Sequence, residues 1–120
     1  MLPRKRTDIF GKAAEVFASE LLIKNGYKIL ERNFRSRFGE LDLIALDGDT
    51  LVFVEVKART NRKFGLPEES VTRGKLWKIN KTAEYYSLTH PKLPKKLRID
   101  VVALEIDQGR PVRSKIIKVY

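Results

Sequence analysis

Residues 41–56 read LDLIALDGDTLVFVEV, two almost continuous apolar runs joined by Asp47-Gly48-Asp49-Thr50. Turn residues between segments rich in Leu, Ile, Val and Phe predict an antiparallel hairpin. Centred between Gly48 and Asp49, it sets Leu46 opposite Leu51, Ile44 opposite Phe53, Asp42 opposite Glu55 and Glu40 opposite Lys57. Side chains two apart share one face of a sheet. One face then carries Asp42, Ile44, Leu46, Leu51, Phe53, Glu55 and Lys57, and the other Leu41, Leu43, Ala45, Val52, Val54, Val56 and Ala58. Both faces are apolar, so the hairpin must be central and covered on each side, which points to a layered α/β architecture.

The flanking sequence supplies the covers. Phe10, Ala13, Ala14, Phe17, Ala18, Leu21 and Leu22 recur at helical spacing and predict a helix from residue 7 or 8 to about 25, stopped by Gly26. Residues 27–35 read as a strand. Beyond the hairpin, 59–66 is a basic loop, and Leu76, Ile79, Ala83 and Tyr86 mark a second helix from 72 or 73 to about 88. A Pro- and Lys-rich connector leads to strands at 97–106 and 112–120, giving the order αβββαββ. At 120 residues the chain is one domain, preceded by a basic arm over 1–8 that contains Arg4 and Arg6.

The hairpin's charges gather at one end of one face. Two carboxylates directly opposed repel, and burial raises the cost. A divalent cation resolves that conflict, and paired carboxylates with room for water and phosphate oxygens are what Mg²⁺ prefers. Lys57, two residues after Glu55, falls beside the same point, where an ammonium can offset charge on a phosphate. Spacing alone also allows a structural Glu55–Lys57 pair at a sheet end with an unrelated Asp42. Glu15 lies at the edge of the first helix's apolar stripe among Gly11, Ala14 and Ala18, and reads either as a third acid near the site or as a solvated partner of Lys12.

Lys and Arg outnumber Asp and Glu by 25 to 15, a net charge of +10 that suits a polyanionic partner. Arg35, Arg37, Arg59, Arg62, Lys63 and Lys75 flank the acid end of the hairpin and are the expected phosphate contacts. The absence of cysteine excludes disulfides, thiolate metal sites and a cysteine nucleophile. No apolar run approaches the ~18 residues of a membrane span, so a soluble cytoplasmic protein is expected. Asp100 reads as structural, bonding to turn amides, and His90 as an exposed loop residue. Trp77, Tyr85 and Tyr86 read as core or interface residues, not base-stacking platforms.

GKAAEVFASELLIKNGYKIL (11–30), GELDLIALDGDTLVFVEVKAR (39–59), Gly65, Lys75 and RIDVVAL (98–104) resemble the PD-(D/E)xK nuclease superfamily, and most closely its YraN-like family of predicted bacterial endonucleases, similar to archaeal Holliday-junction resolvases. Leu41 stands where the proline of the superfamily's name would fall. The resemblance implies a restriction-endonuclease-like fold, an αβββαβ core with a mixed sheet flanked by helices, here with an extra C-terminal strand. It also implies Asp42, Glu55 and the Val56 carbonyl as ligands of Mg²⁺ or Mn²⁺, Lys57 as the catalytic lysine and Glu15 as a helical acid nearby. The function so implied is structure-selective DNA cleavage, with a homodimer to cut a symmetric junction. The alternative is a non-catalytic module on the same fold that binds DNA, RNA or the ribosome.

Overall fold

The computed structural model describes residues 7–119; residues 1–6 of the basic arm lie outside them. The elements are α1 (Thr7–Lys24), β1 (Lys28–Ser36), β2 (Gly39–Asp47), β3 (Thr50–Arg59), a 3-10 turn (Pro67–Ser70), α2 (Arg73–Thr89), β4 (Lys96–Asp107) and β5 (Arg110–Lys118). One mixed sheet runs β1-β2-β3-β4-β5, with β3 and β4 parallel and every other neighbouring pair antiparallel. A parallel step needs a crossover, and α2 supplies it. The order αβββαββ matches the expectation from sequence; only the 3-10 turn was unforeseen. No helix of the described residues is long and apolar enough to cross a membrane.

Each helix covers one face of the sheet. Ala14, Ala18 and Leu22 of α1 pack on Leu43, Ala45, Val52 and Val54, while Ile79, Ala83 and Tyr86 of α2 pack on Ile44, Leu51 and Phe53. Ala13, expected within the buried stripe of α1, is exposed instead. Gly48 begins the two-residue turn between β2 and β3 with φ 61°, the left-handed backbone that such hairpins require. The Thr72 hydroxyl accepts from the Lys75 N–H at 3.2 Å and caps α2.

The hairpin pairs in the anticipated register from Asp47/Thr50 to Leu43/Val54, and there the ladder stops. Asp42 and Glu55 are therefore not ladder partners, and Glu40 pairs with Arg35 of β1, not with Lys57. Leu41 packs on the α2 side, opposite to the face regular alternation assigns it. The cause lies on β1, where Asn33 has φ 54°. On one side of it Arg32, paired with Leu43, reaches Ser19 of α1; on the other Phe34, paired with Leu41, packs edge-on against Tyr86 of α2 at 5.0 Å. A left-handed residue turns the strand over at that point, and Leu41 follows Phe34 across.

Asp100 is fully buried and belongs to the fold, as expected, but through different partners from those expected. It accepts from the Tyr27 hydroxyl at 2.6 Å and from Arg98 Nε at 2.7 Å, not from turn amides. Arg98 also donates to Asp47 at 2.7 Å, tying the hairpin turn to β4. His90 is not a free loop residue: it ends α2 with its ring stacked on Tyr86 at 3.8 Å.

Candidate active site

Where β2 and β3 part, the Asp42 side chain occupies the gap. Its Oδ2 accepts from the Val56 N–H at 2.7 Å, so an acid stands in for the missing ladder carbonyl. The gap opens into a cleft of about 270 Å³ between α1 and the sheet, lined by Gly11 and Glu15 from α1 and by Asp42, Val56 and Lys57 from the strands. Gly11 does not serve close helix–sheet approach, since a Cβ there would meet no atom within 4 Å. It leaves the cleft open.

Glu55 does not line the cleft. It is buried, with Lys75 Nζ of α2 at 3.7 Å from its Oε2. Burial, with Asp42 within hydrogen-bonding reach, pushes its carboxyl up to about 7, while Lys75 and Lys57 pull weakly the other way. Asp42 and Glu55 are thus brought together even though their backbones do not pair. Glu15, half-buried, is raised above the usual carboxylate range mainly by burial and then by Asp42; Asn33, Arg32 and Lys12 oppose the shift. The strand reversal at Asn33 therefore also serves the site, by setting that amide beside Glu15.

The basic residues divide. Lys75 reaches the site, and Arg37 lies over the ring of Phe38 at 4.9 Å. Arg35 holds Glu40 at 3.6 Å on the surface, and Lys63 stands over Phe64 at 5.7 Å. Arg59, half-buried, aligns with Glu105 across the β3–β4 ladder. Arg62 donates to Glu105 at 2.7 and 3.1 Å and fastens the loop after β3 to β4. Of the aromatics, Tyr86 is core as anticipated, but Trp77 is 62% exposed and Tyr85 38%. Sequence periodicity missed Phe38, 41% exposed beside Tyr85, because the two meet only through the turn between β1 and β2.

Among the described residues no three of His, Cys, Asp and Glu converge closely enough to hold an ion by themselves. Mg²⁺ commonly takes one or two carboxylates and fills its remaining positions with water and substrate oxygens. Asp42 and Glu55 meet that requirement, and their mutual repulsion is what a bound cation would relieve. The donor chemistry fits a hard divalent ion.

The model of the uncharacterised protein family UPF0102 matches residues 14–104, a span containing Glu15, Asp42, Glu55 and Lys57. A UPF0102 protein of Syntrophomonas wolfei is 42% identical over 110 residues, covering 92% of this chain and 96% of that one. One from Caldicellulosiruptor bescii is 51% identical over 98 residues, 81% of this chain and 82% of the relative. A third, from Moorella thermoacetica, is 39% identical over 118 residues, 98% and 96% of the two chains.

Proposed function

The chain belongs to the uncharacterised protein family UPF0102, the YraN-like group, and from that premise and the cleft we propose a divalent-metal-dependent endonuclease that hydrolyses DNA phosphodiester bonds. The observation that carries the reading is the convergence of Asp42 and Glu55 from unpaired backbone positions, with Lys57 on the adjoining cleft wall. The order of elements, with its mixed sheet between two helices, supports the αβββαβ restriction-endonuclease-like core.

Asp42 and Glu55, with the Val56 carbonyl, would hold Mg²⁺ or Mn²⁺. When bound, such an ion acidifies water and offsets phosphate charge. The Val56 N–H fixes the orientation of Asp42, and Lys57 presents an ammonium to the cleft where negative charge grows on the phosphate. Glu15, raised by its surroundings, is placed across the cleft to exchange a proton with water. Arg37 and Lys75 grip the phosphate backbone, a mode that carries no sequence information, so discrimination rests on the shape of the nucleic acid.

The test is cleavage of labelled four-way junction, flap, nicked, linear duplex and RNA substrates with Mg²⁺, Mn²⁺ or EDTA, with Glu55→Gln protein purified in parallel. Metal-dependent DNA cutting lost in the variant is expected. Salt-sensitive binding without metal-dependent cutting would replace the enzyme by a non-catalytic binding module.

A further inference from the structure

The β1–β2 turn and α2 build an aromatic surface that the cleft does not use. Phe38 and Tyr85 lie ring to ring at 5.2 Å, both more than a third exposed, with the Arg37 guanidinium 4.9 Å above Phe38. Nearby on the helix, Lys81 lies 5.6 Å over the exposed ring of Trp77. Steps of three and four residues keep Lys75, Lys78, Lys81 and Tyr85 along one flank of α2. Lys75 ties the first turn of that flank to Glu55, and from there to Tyr85 the helix advances about 15 Å.

The charge of this flank identifies its ligand. Glu84 engages Lys81 at 3.8 Å and Glu40 engages Arg35 at 3.6 Å, whereas Lys78 and Arg37 have no carboxylate within ion-pair distance among the described residues. Exposed rings set beside the free cations Arg37 and Lys78 suit a chain that alternates flat apolar groups with anions, which is a single nucleic-acid strand. A duplex would offer its phosphates to the lysines but keep its base faces from the rings.

We infer that this flank, tied by Lys75 to Glu55 on the α2 side of the acid pair, guides a single strand leading away from that pair, and that Phe38 and Tyr85 stack an unpaired base a few nucleotides from the bond that is cut. The inference rests on reading the Asp42–Glu55 pair as a nucleic-acid site, and it names the substrate class as duplex DNA continuing into a single-stranded segment.

The full chain is titrated in EDTA, where metal-dependent cutting cannot interfere, with blunt duplex and with the same duplex bearing a single-stranded tail. The fluorescent base 2-aminopurine is placed at each tail position in turn. The tailed DNA should bind roughly tenfold more tightly than the blunt form, with quenching greatest at one tail position. The Phe38→Leu/Tyr85→Leu double variant keeps apolar bulk but loses the π faces, and should lose that tenfold while binding blunt DNA as before. Phe38→Trp should keep the preference. Equal binding of both DNAs, or equal weakening of both by a double variant with a native circular dichroism melt, overturns the inference. If the double variant does not fold, the wild-type fluorescence decides: no quenching at any tail position overturns it. Cutting in Mg²⁺ without a tail preference removes this inference and leaves the nuclease; a tail preference without cutting removes the nuclease and keeps only the strand-stacking flank.

Discussion

Asp42 Oδ2 and the Val56 N–H meet at 2.7 Å at the point where β2 and β3 cease to pair. The strand that carries Glu55 and Lys57 thereby positions Asp42 through its own backbone. Asp42→Asn keeps an oxygen acceptor and should cost well under about 1 kcal/mol, whereas Asp42→Ala strands the N–H and should cost about 1–3 kcal/mol. Both should abolish cutting. Urea denaturation separates them, and equal costs would show that the bond does not hold the strand.

Glu55 makes the metal-free protein pH-sensitive. Its folded carboxyl titrates near 7 and its unfolded one near 4.5. Between these values the folded state keeps a proton that the unfolded state has released, so the Glu55 contribution to stability is fully present below about 4.5 and is lost as pH rises through 7. The loss should be on the order of 2–3 kcal/mol. Glu55→Gln should flatten that limb, and Mg²⁺ at pH 8 should raise the Tm of the wild type but not of the variant. A wild-type profile that is flat over this range would show that the carboxyl is not held in the buried, repelled state.

The acid limb has a different origin. Arg113 donates to Glu68 at 2.6 and 3.0 Å and holds its carboxyl down at about 2. Here stability is present above about 4.5 and is lost as pH falls towards 2. Arg113→Gln should lower stability modestly at pH 7, the ion pair being partly exposed to solvent. It should also make the loss of stability between pH 4.5 and 2 shallower. An unchanged acid limb would assign that loss to other carboxylates.

Lys57 and Asp100 should respond in opposite ways. Lys57→Ala should change stability by less than about 0.5 kcal/mol while reducing cutting by roughly 100-fold or more. Asp100→Ala leaves Arg98 and Tyr27 without their shared acceptor and should cost about 3–5 kcal/mol. Cutting per folded molecule should survive it at low temperature. A thermal melt and a cleavage assay on the same preparations decide, and loss of cutting by well-folded Asp100→Ala protein would move Asp100 into the site.

The architecture was legible because its determinants are local and periodic. The two-faced apolar hairpin demanded a helix on each side, and the stripe through Leu76, Ile79, Ala83 and Tyr86 identified one of them. Site residues were legible as a spacing, D-x(12)-E-x-K, but their geometry was not. The register beyond Leu43/Val54 depends on Asn33, a residue of another strand whose left-handed backbone leaves no mark in the hairpin itself. Phe38 and Tyr85 were out of reach for the same reason, since their contact exists only once the β1–β2 turn lies on α2. Lys75 stood out in the sequence as a cation near the site, but its 3.7 Å approach to Glu55 required the crossover to be built.

β5 closes one side of the sheet, and the outer edge of its backbone has no neighbouring strand among the described residues. Such an edge is a template on which another chain can add a strand and begin a fibril. Here Pro111 removes one N–H donor, and Arg110 and Lys115 add positive charge with no carboxylate within ion-pair distance among the described residues. A second copy arriving edge to edge would bring these like charges together. The end of the sheet is therefore guarded against accretion, and concentrated solutions of the protein should stay free of cross-β aggregates as long as β5 keeps its cations.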